Sequence, residues 1–136
     1  MSLNVGDVFI AINPPLTGES PHFHIVVQKT EDKLVVVTYT TTKIEEARRR
    51  CQRVEKINFP HIEPDTLVLT GPKDCTSFSE QCAINCNHAQ MLDESYYELS
   101  LAFKRLSPIN NQNLIIKIRE AIKKSPIVEQ KIIKML

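Results

Sequence analysis

From the N-terminus, the apolar residues fall first into short β-type runs and later into helical spacing. Gly6 to Asn13 (GDVFIAIN) is rich in β-formers and ends at Pro14-Pro15, which cannot continue a ladder, so a first strand is predicted there. Leu16 to Pro21, with Thr17, Gly18, Glu19 and Ser20, has turn chemistry and reads as a loop able to cover a cleft. His22 to Gln28 (HFHIVVQ) and Leu34 to Thr41 (LVVVTYTT) are two more strands, and the short Lys29 to Lys33 connection makes them an antiparallel hairpin.

Thr42 followed by Glu45 resembles a capping box, and IEEARRRCQRV sets Ile44, Ala47, Cys51 and Val54 at helical spacing, which predicts a short helix. Ile57 to Pro64 holds two prolines and reads as loop. Thr66 to Thr70 is a fourth strand. Cys82 to Leu92 is a fifth, whose alternation puts Cys82, Ile84, Cys86 and His88 on one face. Asp93 is placed to N-cap a helix from Glu94 to Leu106 with Tyr96, Leu99, Phe103 and Leu106 on its apolar side. Asn110 to Lys124 is a second amphipathic helix, and Ser125-Pro126 is the start signal of a third.

Five short strands in one small domain favour a closed or nearly closed barrel, because closure removes exposed edges. The expected fold is therefore mainly β with C-terminal helices, an α+β chain. A small antiparallel barrel spans residues 4–107, and a basic helical extension spans residues 108–136.

Composition narrows the picture. A chain of 136 residues is about one domain's worth and can bury a core without staples. Its 42% hydrophobic and 24% charged residues are ordinary for a soluble protein, and no window approaches the roughly 18 apolar residues of a membrane span. No basic stretch followed by an apolar one opens the chain, so a cytoplasmic location is expected, with Cys51, Cys75, Cys82 and Cys86 as free thiols or metal ligands. The net charge of +1 hides an uneven distribution. Residues 43–56 carry Lys43, Arg48, Arg49, Arg50, Arg53 and Lys56 against three Glu, whereas residues 57–100 hold Lys73 against seven acids. Such segments steer partners even in a neutral chain; the arginines are either a solvated helix face or an anion site.

Cys82-x3-Cys86-x-His88 with His22-x-His24 offers zinc-type ligands. On a continuous strand, however, Cys82 and Cys86 would stand about 13 Å apart, and a Cys82, Ile84, Cys86 face is more simply core, so no metal or other cofactor is expected. Cys75 is the best placed thiol for a nucleophile, but no basic helix N-terminus or assured histidine accompanies it.

Gly6-Asp7-Val8-Phe9, the Pro14 to Gly18 loop, the Ile25-Val26-Val27 strand, the threonine-ended Val35 to Thr42 strand and Gln90-Met91-Leu92-Asp93 before a helix together resemble the MazF/PemK/Kid-like superfamily. That resemblance covers roughly residues 5–107. It implies an SH3-like barrel that cleaves single-stranded RNA without metal, acts as a homodimer and is neutralised by an antitoxin peptide. In the family an Arg-Pro pair opens the second strand, and its arginine stabilises the phosphate; Phe23-His24 stand at the matching positions here. The family's Ser/Thr at the end of the third strand is available as Thr38, Thr40, Thr41 or Thr42.

RNA cleavage through a cyclic phosphate needs proton transfer and positive charge near the phosphate. Histidine, with an ordinary pKa near ~6.5, can take a proton role, and His22 and His24 share a strand face. The candidate catalytic set is thus His24, His22, Thr40 and Thr38, with Arg48, Arg49, Arg50 and Arg53 as RNA-backbone contacts. The alternative is a catalytically inactive SH3-like barrel that binds protein or RNA.

Overall fold

The computed structural model describes residues 2–100 and 102–136. Its strands are β1 (Val8–Ile12), β2 (Pro21–Lys29), β3 (Leu34–Thr41), β4 (Leu67–Thr70), β5 (Cys82–Asn85), β6 (Gln90–Asp93) and β7 (Lys104–Arg105). Its helices are α1 (Pro14–Thr17), α2 (Ile44–Val54), α3 (Glu94–Glu98), α4 (Gln112–Lys123) and α5 (Gln130–Ile133). The protein is α+β, and its strand pairs are antiparallel.

β1, β2 and β3 form a meander. β7 pairs with the outer edge of β1, while β5 and β6 divide the outer edge of β3 between them. The path β4-β5-β3-β2-β1-β7 stays open, since no ladder joins its ends among the described residues. Of the closed or nearly closed barrel expected from the strand count, full closure is therefore not formed. Instead α4 lies against β4 and β2, and its Leu114, Ile115, Ile118 and Ile122 share the principal core with Val8, Ile25, Val36 and Ile84. Helical side chains cover apolar strand faces that a closed barrel would cover with strands. Residues 108–136 thus contribute to the same core as the strands. The other face of the meander packs Leu3, Phe9, Val26, Val37 and Tyr97.

The expected fifth strand is broken. Ile84 and Gln90 are six positions apart in the chain, whereas their partners Thr40 and Val37 are three apart on β3. The three surplus residues, Cys86–His88, form a 3-10 turn. It is stabilised by the Asn85 side chain, which accepts a hydrogen bond from the Asn87 backbone N–H at 3.0 Å, a local Asx-type competitor to the ladder. Cys86 and His88 consequently leave the strand alternation that put them beside Cys82. All four cysteines are free and buried.

The predicted helix from Glu94 to Leu106 is cut to α3; Leu101, within that span, lies outside the described residues. Asp93 caps it as expected, accepting from the Ser95 N–H at 2.9 Å. The chain then turns through Ala102, with φ of 64°, so that β7 reaches the free edge of β1. Phe103 packs on Phe9 with ring centroids 5.3 Å apart, while Leu99 is left exposed. Edge pairing and that aromatic contact win over helical continuation.

α2 forms at the expected place, burying Ala47 and Cys51, but the capping box does not. Its N-cap is Lys43, and the Glu45 carboxylate goes to Arg48. After Ser125 the chain makes a turn, in which the hydroxyl accepts from the N–H groups of Ile127 and Val128, each at 3.2 Å, before α5 begins.

Candidate functional site

A cleft of about 570 Å³ opens where the start of β2, the end of β3 and the first turns of α2 meet. β2 contributes His22 and β3 contributes Tyr39, Thr40 and Thr41, while Lys43 and Arg50 come from the α2 side. Of the residues singled out in the sequence, His22, Thr40, Thr41, Thr42 and Arg50 are brought together here. His24, Thr38, Arg48, Arg49 and Arg53 do not line it.

One bulge decides which residues meet. The hairpin begins with Lys29 opposite Val35 and Gln28 opposite Val36, then slips by one residue between Val26 and Gln28, so that His24 faces Tyr39. Continued without the slip, the outer register would set Thr40 across from His24. A one-residue shift exchanges the two faces of a strand, and the bulge therefore moves Tyr39 to the histidine face and Thr40 to the other.

His24 is fully buried. Its ring stacks on Phe9 with centroids 5.0 Å apart and planes 7° apart. Its Nδ1 donates to the His22 carbonyl at 2.9 Å, and the Asn13 amide reaches Nε2 at 3.5 Å. That amide also donates to Gln90 Oε1 at 2.6 Å, which accepts in turn from the Tyr97 hydroxyl at 3.0 Å. Burial holds the His24 pKa down to about 4, outweighing the opposing backbone hydrogen bond. The ring is neutral near pH 7 and part of the core. Thr38 is buried as well, paired across from Ile25.

His22 is half-buried at the cleft wall. Its Nδ1 lies 3.2 Å from the Ser20 carbonyl oxygen. A carbonyl only accepts, so Nδ1 carries the hydrogen of this bond. Tyr39 stands perpendicular to this ring, with centroids 5.4 Å apart and planes at 85°. The Tyr39 hydroxyl is 3.1 Å from His88 Nδ1. Burial, and then the nearby Arg50 charge, lower the His88 pKa, while burial raises that of Tyr39. Tyr39 and His88 thus share one hydrogen bond, whose direction follows the His88 tautomer. The surplus turn makes this contact, because Cys86–His88 crosses β3 between the ladders that take Thr40 and Val37.

Thr40, buried at the cleft base, touches the Cys82 thiol, which burial pushes up to about 11 despite that contact. Burial raises the Cys86 thiol too. The arginines of α2 divide by helical face. Arg50 is paired with Glu46 at 2.6 Å on the cleft side, both about half exposed, whereas Arg48 is engaged by Glu45 and Glu63. Arg49 and Arg53 are exposed. Among the described residues no group of three or more His, Cys, Asp or Glu side chains is arranged to hold a metal ion, and no helix is long and apolar enough to cross a membrane.

Sequence reasoning missed Tyr39, His88, Lys43 and Glu46 as site residues. Strand parity with His22 and His24 would have found Tyr39 had the bulge been known, but no residue pattern in HFHIVVQ announces it. Compared with known proteins, the chain matches no protein-family model and no curated protein sequence.

Proposed function

We propose that the cleft binds single-stranded RNA and cleaves it without metal, with His22 as the proton-transfer group, in a protein related to the MazF/PemK/Kid-like toxins. The observation that carries this reading is the His22 ring, held through Nδ1 on the Ser20 carbonyl, in a cleft that also holds Arg50, Lys43 and the hydroxyls of Thr41 and Thr42. In the proposed reaction His22 Nε2 takes the proton of the ribose 2′-hydroxyl as that oxygen attacks phosphorus. The bond to the 5′-oxygen breaks, solvent supplies the proton that this oxygen gains, and a 2′,3′-cyclic phosphate remains. Arg50 and Lys43 offset the charge that grows on the phosphoryl oxygens. The family's phosphate clamp thereby moves from the second strand, where His24 is neutral and buried, to the insert helix α2.

On this reading the β1-β2-β3 meander continued by β5 and β6 is an SH3-like barrel opened by α4. The expected partners are single-stranded RNA, a second copy of the chain and an antitoxin peptide, in the cytoplasm. A second reading, an RNA-binding module without cleavage, is favoured by the Glu46 carboxylate beside Arg50, which brings negative charge into the phosphate site.

Purified protein incubated with a pool of single-stranded RNA in the presence of a chelator tests both. Products ending in cyclic phosphate and 5′-hydroxyl, lost in a folded His22→Ala variant, support cleavage. RNA that is bound but left intact at micromolar protein supports the module, and RNA that is neither bound nor cut overturns both.

A further inference from the structure

Resting on the cleavage reading, we propose that Tyr39 is a positioning residue for the His22 imidazole and that His88 is the anchor that fixes Tyr39. A single hydrogen bond to Ser20, at Nδ1, is a pivot that leaves the rest of the His22 ring free to swing. The perpendicular Tyr39 ring, 5.4 Å away, limits that swing from one side. Tyr39 does not move easily, because it is 9% exposed and its hydroxyl is tied to His88 Nδ1. The His88 ring lies within 15° of parallel to Tyr39 at 5.8 Å, so hydrogen bond and ring contact act on the same pair. With its hydroxyl engaged by His88 and its ring buried, Tyr39 has a geometric role.

The 3-10 turn gains a purpose from this arrangement. An unbroken strand from Cys82 to Leu92 would have placed His88 by simple alternation, whereas the three surplus residues carry it over the segment of β3 that holds Tyr39. The device depends on misplacement being costly: a shift of about 1 Å in a catalytic group can lower a rate by up to roughly a hundredfold.

Full-length Tyr39→Phe, which keeps the ring and removes the hydroxyl, and His88→Leu, which removes the hydrogen-bond partner, test the proposal through RNA cleavage. Each is expected to lower kcat by about tenfold with KM unchanged, and the double variant to be no slower than either single one, as residues acting as one unit require. His88→Asn, whose amide can pair with the Tyr39 hydroxyl in place of Nδ1, is expected to recover most of the loss. Unchanged kcat in both single variants, or losses that multiply in the double variant, would overturn it. A second readout does not need activity. Imidazole ¹⁵N shifts should report a single Nδ1–H tautomer of His22 in the native chain and a mixture in His88→Leu, with weakened nuclear Overhauser contacts from His22 to Tyr39. If the native chain cuts no RNA, the cleavage reading fails, and these spectra still decide the positioning: an unaltered tautomer and ring contact in His88→Leu would sink it.

Discussion

The Ser125 hydroxyl donates to Asn87 Oδ1 across 2.6 Å, with both residues buried. Asn87 spends its two amide hydrogens on Thr66 Oγ1 and Asn85 Oδ1, each at 2.9 Å. One side chain thus connects the segment before α5, the 3-10 turn and the start of β4. The Thr66 hydroxyl in turn donates to Glu55 at the end of α2, so the helix that lines the cleft is tied to the same network.

Replacing Ser125 by Ala removes the donor and leaves Asn87 Oδ1 unsatisfied. A buried acceptor without a partner costs about 1–3 kcal/mol. Urea unfolding of Ser125→Ala should therefore give a lower midpoint with an unchanged slope, and an unchanged midpoint would count against the network's contribution.

Truncation before residue 108 should abolish the cooperative fold, because Ile109, Leu114, Ile115, Ile118 and Ile122 are buried in the principal core. The milder Ile118→Ala should retain the fold at a cost of about 2–5 kcal/mol, the range for a large-to-small change at a fully buried site. Circular dichroism and calorimetry check both; a folded truncated chain would show that the sheet stands without α4.

His24 sets a pH dependence. Its pKa is about 4 in the folded chain against 6.5 ordinarily, so between these values the unfolded state binds more protons and stability rises with pH. The contribution is complete above pH 6.5 and is lost as the pH falls towards 4, a change of about 3 kcal/mol for a shift of this size. The lowered pKa of His88 acts in the same direction. Urea midpoints at pH 7 and pH 4.5 should differ more in the native chain than in His24→Phe, and equal differences would remove His24 as the cause.

Glu46 and Arg50 oppose each other in RNA binding. Glu46→Gln frees Arg50 from its ion pair and lessens repulsion of phosphate, so affinity for a short single-stranded RNA should rise severalfold at low salt. Arg50→Ala should weaken binding and flatten its salt dependence by about 0.7 in the logarithmic slope, as for loss of one phosphate contact. Fluorescence anisotropy across a salt series measures both. Equal slopes for the native chain and Arg50→Ala would take Arg50 out of the interface.

Local preference made much of the architecture legible. The β-branched runs in β1, β2 and β3 and the apolar stripe of α4 bury what their spacing says they should, and Asp93 caps α3. The apolar stripe of α4 did not reveal that it would cover apolar strand faces where a closed or nearly closed barrel was expected. A stripe states that a helix must be covered and leaves open by what.

The candidate site was legible only in part, for a similar reason. The chain by itself determined that His22 and His24 share one face of β2, that threonines end β3 and that arginines follow on a helix, since these depend on periods of two and 3.6 residues along one element. Tertiary structure decided which of them meet. A bulge at Val27 turned Tyr39 towards the histidines in place of Thr40, a three-residue surplus carried His88 to Tyr39, and Phe9 covered His24. Register and burial depend on how separate elements pack, and a one-residue slip in pairing reverses a strand's faces without altering the local pattern from which the strand is read.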